Sequence, residues 1–193
     1  MNDLESVARS VNVLRARNVP FALLHCTSMY PTPYEKVRLG GMVALKEAFP
    51  DAVIGLSDHS LNIWTCLGSV ALGASLLEKH FTVSREWPGP DTGISIEPDE
   101  LSDMIEGSEA IWKARGGTKS ILPDEQPVID FAYASIVTIR PIKAGETLSR
   151  DNIWVKRPGT GPIKAIEFED YIGKVCQTDL AENQFLSPSD VAS

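Results

Sequence analysis

The chain has 193 residues, 43% of them hydrophobic, and a net charge of −8 at neutral pH, so it can bury one good core and a small second unit. It has no basic run, which excludes the phosphate-binding footprint of a nucleic-acid partner. Its longest uncharged stretch, residues 60–77, is shorter than the roughly 20 residues of a membrane span. The three cysteines are odd in number and far apart, which argues against a disulfide framework and favours a reducing cytoplasm.

Helical and strand patterns alternate along residues 1–117. Apolar residues at helical spacing predict a first helix over residues 3–17, with Asp3 as its N-cap. The elements predicted to follow are a strand over 19–26, a helix over 33–50, a strand over 52–58, a helix over 61–73, a strand over 74–81 and a helix over 97–117. Continuously apolar strands between helices favour parallel pairing with both faces covered, and three strands cannot close a barrel by themselves. We therefore predict an α/β fold in which residues 1–117 are the C-terminal part of a (β/α)8 TIM barrel.

The pattern changes from about residue 118. Residues 118–134 are predicted to form a linker that carries aromatic side chains. Residues 135–193 show short alternating strands separated by turns such as AGE and PGTGP, which predicts a compact, mostly β domain. A domain of about 60 residues has little core of its own, so we expect it to dock onto something larger.

Polar residues occur in pairs where the second and third strands end. Ser57 and His59 share one face of the chain, and Glu78 and His80 share one face at the next strand, because side chains on a strand alternate. In a β/α barrel the carboxyl ends of the strands line the active site, and strands adjacent in sequence are usually neighbours in space. Two imidazoles and a carboxylate in one pocket suit a divalent transition metal, with water or substrate completing its coordination.

Each of these residues also has a plainer explanation. A single histidine at a strand end is more often a hydrogen-bonded rim residue than a metal ligand. The two explanations gain equal weight here only because both pairs show the same alternation of side chains. Glu78 as a buried partner of Lys79 is disfavoured, because the two side chains lie on opposite faces. Lys79 faces the helix layer and is poorly placed for Schiff-base chemistry, which weakens a class I aldolase interpretation.

Loops supply further candidates. Ser28 and Tyr30 follow the first strand in a proline-stiffened loop, and Asp91 lies in the loop after the third strand. Arg157 lies on a rigid turn and is a candidate clamp for an anion or carboxylate. The alternatives are rim packing for Tyr30, a turn aspartate for Asp91 and a solvated guanidinium for Arg157.

Several stretches together resemble the sialic acid synthase family, close to the bacterial N-acetylneuraminate synthases. In the family's order and spacing they are HCTSMYPTPYEKVRLGGM, GLSDHS, LLEKHFT, PGPD, DFAYAS and WVKRPGTG. The resemblance covers nearly the whole chain and implies that residues 135–193 form an antifreeze-like (SAF) domain. It implies that phosphoenolpyruvate condenses with N-acetylmannosamine, or a related hexosamine, to give N-acetylneuraminate and phosphate. A divalent metal, typically Mn²⁺, is implied to polarise the sugar aldehyde.

The resemblance also implies roles for residues in the predicted barrel part. His59 and His80 match the family's metal ligands, Ser57 matches a phosphoenolpyruvate contact, and Glu78 matches a carboxylate that contacts the sugar and moves protons. Ser28 stands where N-acetylneuraminate synthases usually carry an asparagine that contacts phosphoenolpyruvate. Because a serine reaches less far, synthases of legionaminic or pseudaminic acid stay open as alternatives.

The remaining implied contacts concern the sugar and a second subunit. Tyr30 and Asp91 match sugar-side contacts. Arg157 matches an arginine that the antifreeze-like domain inserts into the barrel of a partner subunit, and Phe131 lies near the same interface. The resemblance thus implies a domain-swapped homodimer.

The family's phosphate-binding lysines belong to a first barrel half that has no counterpart in these 193 residues. We therefore expect the chain alone to be inactive with phosphoenolpyruvate, N-acetylmannosamine and Mn²⁺, and detectable phosphate release would contradict this. Two other functions stay open: a carbohydrate- or partner-binding remnant built on the antifreeze-like domain, and a metal-dependent aldolase or lyase.

Overall fold

The chain divides into two compact units, Met1–Gly117 and Thr118–Ser193, and the computed structural model describes residues 1–192. The helices of the first unit are α1 (Leu4–Ala16), α2 (Tyr34–Val37), α3 (Gly40–Ala48), α4 (Trp64–Ala71) and α5 (Pro98–Ala114). Its strands are β1 (Ala22–Cys26), β2 (Val53–Asp58) and β3 (Leu76–Lys79). The predicted alternation of helices and strands is confirmed, and Asp3 caps α1 by accepting a hydrogen bond from the Ser6 amide.

The single helix predicted over residues 33–50 is wrong, because the structure divides it into α2 and α3. Arg38 between them adopts a left-handed conformation, with φ of 52° and ψ of 60°, which an α-helix cannot continue. The break brings α3 close to β1: a Cβ on Gly41 would lie 2.6 Å from the ring carbon Cε1 of His25. The His25 ring is also held by the Val37 carbonyl, whose oxygen lies 2.8 Å from Nε2.

The three strands form one parallel sheet in the order β1-β2-β3, as predicted. Helices cover one face, over a core built from these buried residues: Val11, Met42, Leu45, Phe49, Ile54, Ala74, Ile63, Cys66, Ile96 and Met104. On the other face Val53 and Leu76 are 48% and 43% exposed. Within the described residues, therefore, helices cover one face of the sheet and leave apolar side chains of the other face in solvent. Closure into a barrel stays a prediction.

All three strands are shorter than predicted, β2 only by its first residue. β1 begins at Ala22 and leaves out Pro20, which has no amide hydrogen to give to a ladder. β3 ends at Lys79, and the chain then leaves β2: Phe81 forms an isolated parallel bridge with Ile96. This departure turns the loop after β3 back toward the end of the strand.

The second unit has its own core. Its regular elements are α6 (Gln126–Ala132), α7 (Phe168–Tyr171) and an antiparallel pair, β4 (Ser135–Thr138) and β5 (Ile153–Lys156). Further strand contacts are isolated bridges, so regular strand is scarcer than the alternating pattern predicted. The segment predicted as a linker contains α6, and the Gly159 amide donates a hydrogen bond of 2.8 Å to the Asp130 carbonyl. The helix thus packs on the PGTGP turn.

Among residues 1–192, no helix combines the length and the apolar character that crossing a membrane requires. Cys26, Cys66 and Cys176 are all free thiols.

Candidate functional site

Three rings meet where the strands of the parallel sheet end. His59 follows β2, His80 follows β3, and Tyr30 lies in the loop after β1. The ring centroids of His59 and His80 are 5.0 Å apart at an angle of 74°, and that of Tyr30 lies 4.3 Å from His59. The structure thus brings together the two histidines that the sequence placed at the carboxyl ends of neighbouring strands.

Backbone hydrogen bonds hold both histidines in place. The Thr32 amide donates to the His59 carbonyl at 2.8 Å, which ties the loop after β1 to the end of β2. The Ile96 amide donates to the His80 carbonyl at 2.8 Å, which ties the end of the next loop to β3. The rings are therefore positioned by chain segments that are themselves fixed.

His59 is buried but has weak polar partners. Its Nε2 lies 3.4 Å from the Tyr30 hydroxyl and 3.5 Å from Ser57 Oγ, both long for a hydrogen bond, and its Nδ1 has no partner. Burial lowers the pKa of His59, electrostatic repulsion from the neighbouring His80 adds to this, and the nearby Asp58 and Glu78 oppose it. The ring is thus held in the neutral form that can bind a metal.

The lowered pKa of His59 gives a pH prediction. In the metal-free chain we expect His59 to remain neutral below about pH 6.5, where an unperturbed histidine takes up its proton. The contribution of the neutral ring to the free energy of unfolding is complete above about pH 6.5. It is lost as the pH falls from there to the lower pKa of the folded chain, because in this range the unfolded chain binds the proton and the folded chain does not. NMR of the histidine-labelled chain measures the pH midpoint at which His59 takes up its proton, and His59→Gln identifies the signal of this residue. A midpoint at or above about pH 6.5 would contradict the prediction.

The donor set fits part of a metal site. Two imidazoles supply nitrogen ligands suited to a divalent transition metal, and the unpartnered Nδ1 of His59 leaves a buried donor atom to be satisfied. Asp91 Oδ2 lies 3.7 Å from His80 Nδ1, where a carboxylate can orient the ring. Within residues 1–192, no cluster of three or more His, Cys, Asp or Glu side chains is placed to hold an ion. A metal bound to His59 and His80 would need its other ligands from water, substrate or another polypeptide segment.

Two more predicted residues of the first unit lie on the strands that lead to this group. Ser57 and Glu78 are directly opposite each other in the register of β2 and β3, so they share the face that leads to the histidines. Ser57 is buried, whereas Glu78 is exposed. Ser28 contacts Cys26 instead, with 3.8 Å between its Oγ and the cysteine Sγ, and lines a cavity of about 460 Å³ beside Arg38.

Phe131 and Arg157 both lie in the second unit. Phe131, on α6, is 69% exposed, and Arg157 is exposed directly after β5. Each side chain is thus free to contact another molecule, and the roles implied for them at a partner's barrel stay predictions.

Sequence reasoning missed one pair of charges behind the site. Lys79 Nζ lies 2.6 Å from Asp58 Oδ2, and their side chains are 2% and 1% exposed. The sequence placed Lys79 on the helix side, but Asp58 was not assigned as its partner. The signal was present: each directly precedes one of the two histidines. The same cluster includes Cys66, and burial with the Asp58 charge raises the pKa of its thiol to about 12.

Comparison with known families decides the relationship. The model of the NeuB family matches residues 1–120, and the model of the SAF domain matches residues 133–192. The chain belongs to the NeuB family. The NeuB match covers more than half of the sequence, so the resemblance to the sialic acid synthases with an antifreeze-like domain is confirmed.

Individual relatives agree with this assignment. The chain is 38% identical over 190 residues to N,N'-diacetyllegionaminic acid synthase of Campylobacter jejuni, which covers 96% of this chain and 56% of the relative. The crystal structure of the spore coat polysaccharide biosynthesis protein spsE of Bacillus subtilis matches 99% of this chain and 59% of its own, with a TM-score of 0.55 and 34% identity. The N-acetylneuraminic acid synthetase of Leptospira borgpetersenii, solved with citrate, matches 67% of this chain and 45% of its own, with a TM-score of 0.62 and 36% identity. The chain spans about half the length of the curated relatives it matches.

Proposed function

We propose that this NeuB-family chain supplies the metal-binding and sugar-facing part of a phosphoenolpyruvate-dependent sugar-acid synthase. The reaction would join phosphoenolpyruvate to the aldehyde of N-acetylmannosamine or a related hexosamine, with water supplying an oxygen as phosphate leaves. The observation that carries the proposal is the pair of crossed imidazoles, 5.0 Å apart, at the ends of adjacent parallel strands. Relatives named as N-acetylneuraminate-9-phosphate, legionaminic and pseudaminic acid synthases support it.

A divalent metal, for which we propose Mn²⁺, would act as a Lewis acid on the sugar aldehyde when held by His59 and His80. Burial keeps His59 neutral, so its ring nitrogen need not lose a proton before binding. Glu78 is exposed on the same face of the sheet and is proposed to move a proton at the new hydroxyl. Ser57, buried opposite Glu78, is proposed to hold phosphoenolpyruvate by its hydroxyl.

The sugar contacts are proposed to come from two subunits. Tyr30 and Asp91 flank the histidines, which suits contacts to the sugar chain beside a bound metal. The exposed Arg157 and Phe131 are proposed to reach the N-acetyl end of the sugar in a partner's barrel, as part of a domain-swapped homodimer. The three free cysteines favour the cytoplasm as the compartment.

A second candidate changes the sugar and keeps the chemistry. Ser28 replaces the asparagine expected of an N-acetylneuraminate synthase, and the Campylobacter relative that matches 96% of the chain is named for N,N'-diacetyllegionaminic acid. We therefore propose a legionaminic-type acceptor as the alternative to N-acetylmannosamine. Parallel assays with both acceptors separate the two.

The direct test replaces the matched segment of the Campylobacter synthase with this chain. We expect the chimera to release phosphate from phosphoenolpyruvate only when a divalent metal and a hexosamine acceptor are both present. His59→Ala and His80→Ala should abolish the release, whereas His25→Ala, which changes a histidine held by Val37 outside the ring cluster, should retain it. A folded chimera that releases no phosphate with either acceptor, or histidine variants that remain active, would contradict the proposal.

A further inference from the structure

We propose that the buried ion pair of Asp58 and Lys79 is a positioning device for the two histidines. Asp58 directly precedes His59, and Lys79 directly precedes His80. The charged side chains point to the helix side of the sheet while the imidazoles meet on the other side. The inference rests on the proposed function for what the histidines bind, but its geometric claim stands by itself.

A single ammonium group holds the chain on both sides of His59. Lys79 Nζ donates to Asp58 Oδ2 at 2.6 Å and also donates to the Ser60 carbonyl. Ser60 Oγ in turn donates to Asp58 Oδ2 at 2.9 Å and lies 2.9 Å from Thr65 Oγ1 at the start of α4. The backbone that presents His59 is thus tied to the strand that presents His80 and to the helix behind it.

The ion pair is specific to one register of the strands. Asp58 and Lys79 are directly opposite each other in the parallel ladder, beside Ser57 and Glu78. A slip of one residue would turn the side chains of β3 to the opposite faces, which brings Glu78 beside Asp58 and moves His80 away from His59. Two carboxylates buried together repel, so the observed register is favoured against its nearest competitor.

Stability alone does not account for such a pair. A buried ion pair gains little over well-packed apolar side chains of similar volume, because both ions lose their hydration, and its better attested use is to fix a register. Lys143 and Asp179 also lie 2.6 Å apart, but their side chains are 76% and 60% exposed and they adjoin no histidine. The difference in burial and placement points to a role for the Asp58–Lys79 pair in setting geometry.

The test reads the distance between the rings in the metal-free, full chain. With only three histidines, selective labelling gives one ring signal each for His25, His59 and His80. In the parent chain we expect a nuclear Overhauser effect between the rings of His59 and His80. The double variant Asp58→Asn/Lys79→Met should lose this effect. Its unfolding midpoint and its His25 signal should stay close to those of the parent chain. The exposed pair gives the matched control: Asp179→Asn/Lys143→Met should retain the effect.

A second double variant, Asp58→Leu/Lys79→Met, leaves no carboxylate or amide buried at position 58 and should show the same loss. The positioning role is wrong if a folded double variant keeps the nuclear Overhauser effect between the two rings, or if the parent chain lacks this effect. If neither double variant folds, the pair acts on stability and the positioning role is wrong. The measurement uses neither metal nor substrate, so its failure leaves the proposed function standing, and an inactive chimera leaves the positioning role standing.

Discussion

Lys79→Met is expected to lower the free energy of unfolding of residues 1–117 by about 3–5 kcal/mol, because it leaves the Asp58 carboxylate buried without its cation. The carboxylate is 1% exposed, and its other polar neighbours are Ser60 and the Cys66 thiol at 3.9 Å, which carry no positive charge. Urea unfolding followed by tryptophan fluorescence measures the change, since Trp64, Trp87 and Trp112 all lie in the first unit.

Lys143→Met is the matched control for this prediction. The Lys143–Asp179 pair has the same 2.6 Å separation, but both side chains are exposed. Water replaces an exposed partner at little cost, so the unfolding midpoint should stay nearly unchanged. Equal losses in the two variants would contradict the claim that burial makes the Asp58–Lys79 pair energetically important.

Gly55→Ala is expected to destabilise the first unit by about 1–3 kcal/mol, because the added carbon overpacks the pairing of β2 with β3. A Cβ on Gly55 would lie 2.5 Å from the Leu76 carbonyl oxygen and 2.8 Å from the Leu76 Cβ. These atoms belong to the neighbouring strand and cannot rotate aside, so the strands must separate two residues before Ser57. The same urea titration measures the effect.

Gly40→Ala serves as the control for Gly55→Ala. Gly40 begins α3, and a Cβ there meets no atom within 4 Å. Alanine restricts the unfolded chain and favours the helix, so the variant should be neutral or more stable by about 0.4–1 kcal/mol. A loss as large as that of Gly55→Ala would show that the close approach of Leu76 is not the cause.

Alternation of side chains was enough to predict the central geometry of the site. Ser57 with His59, and Glu78 with His80, were placed on shared faces by a period of two residues, and the short connection through α4 made β2 and β3 neighbours. The same rule placed Lys79 on the opposite face, where the structure has it. These predictions succeeded because they depend only on the alternation of side chains along a strand and on a short connection between two strands.

Other features depend on information that spacing does not carry. Arg38 is neither Gly nor Pro, so its left-handed conformation, which divides the predicted helix, had no sequence signal. The pairing of Asp58 with Lys79 needs the register of β2 against β3, and a shift of one residue would have predicted a different partner. The approach of Asp91 to His80 depends on how the long loop after β3 returns to the sheet.

The most direct test of the account is a titration of the purified 193-residue chain with Co²⁺, whose visible absorption reports nitrogen ligands. We predict saturable binding that His59→Ala and His80→Ala each remove, and that His25→Ala retains, because His25 is held by the Val37 carbonyl and packs on Gly41. Thermal unfolding without metal confirms that the variants fold. If the parent chain binds no Co²⁺, or if the folded His59 and His80 variants bind it as the parent does, the two histidines are not a metal site and the account is contradicted.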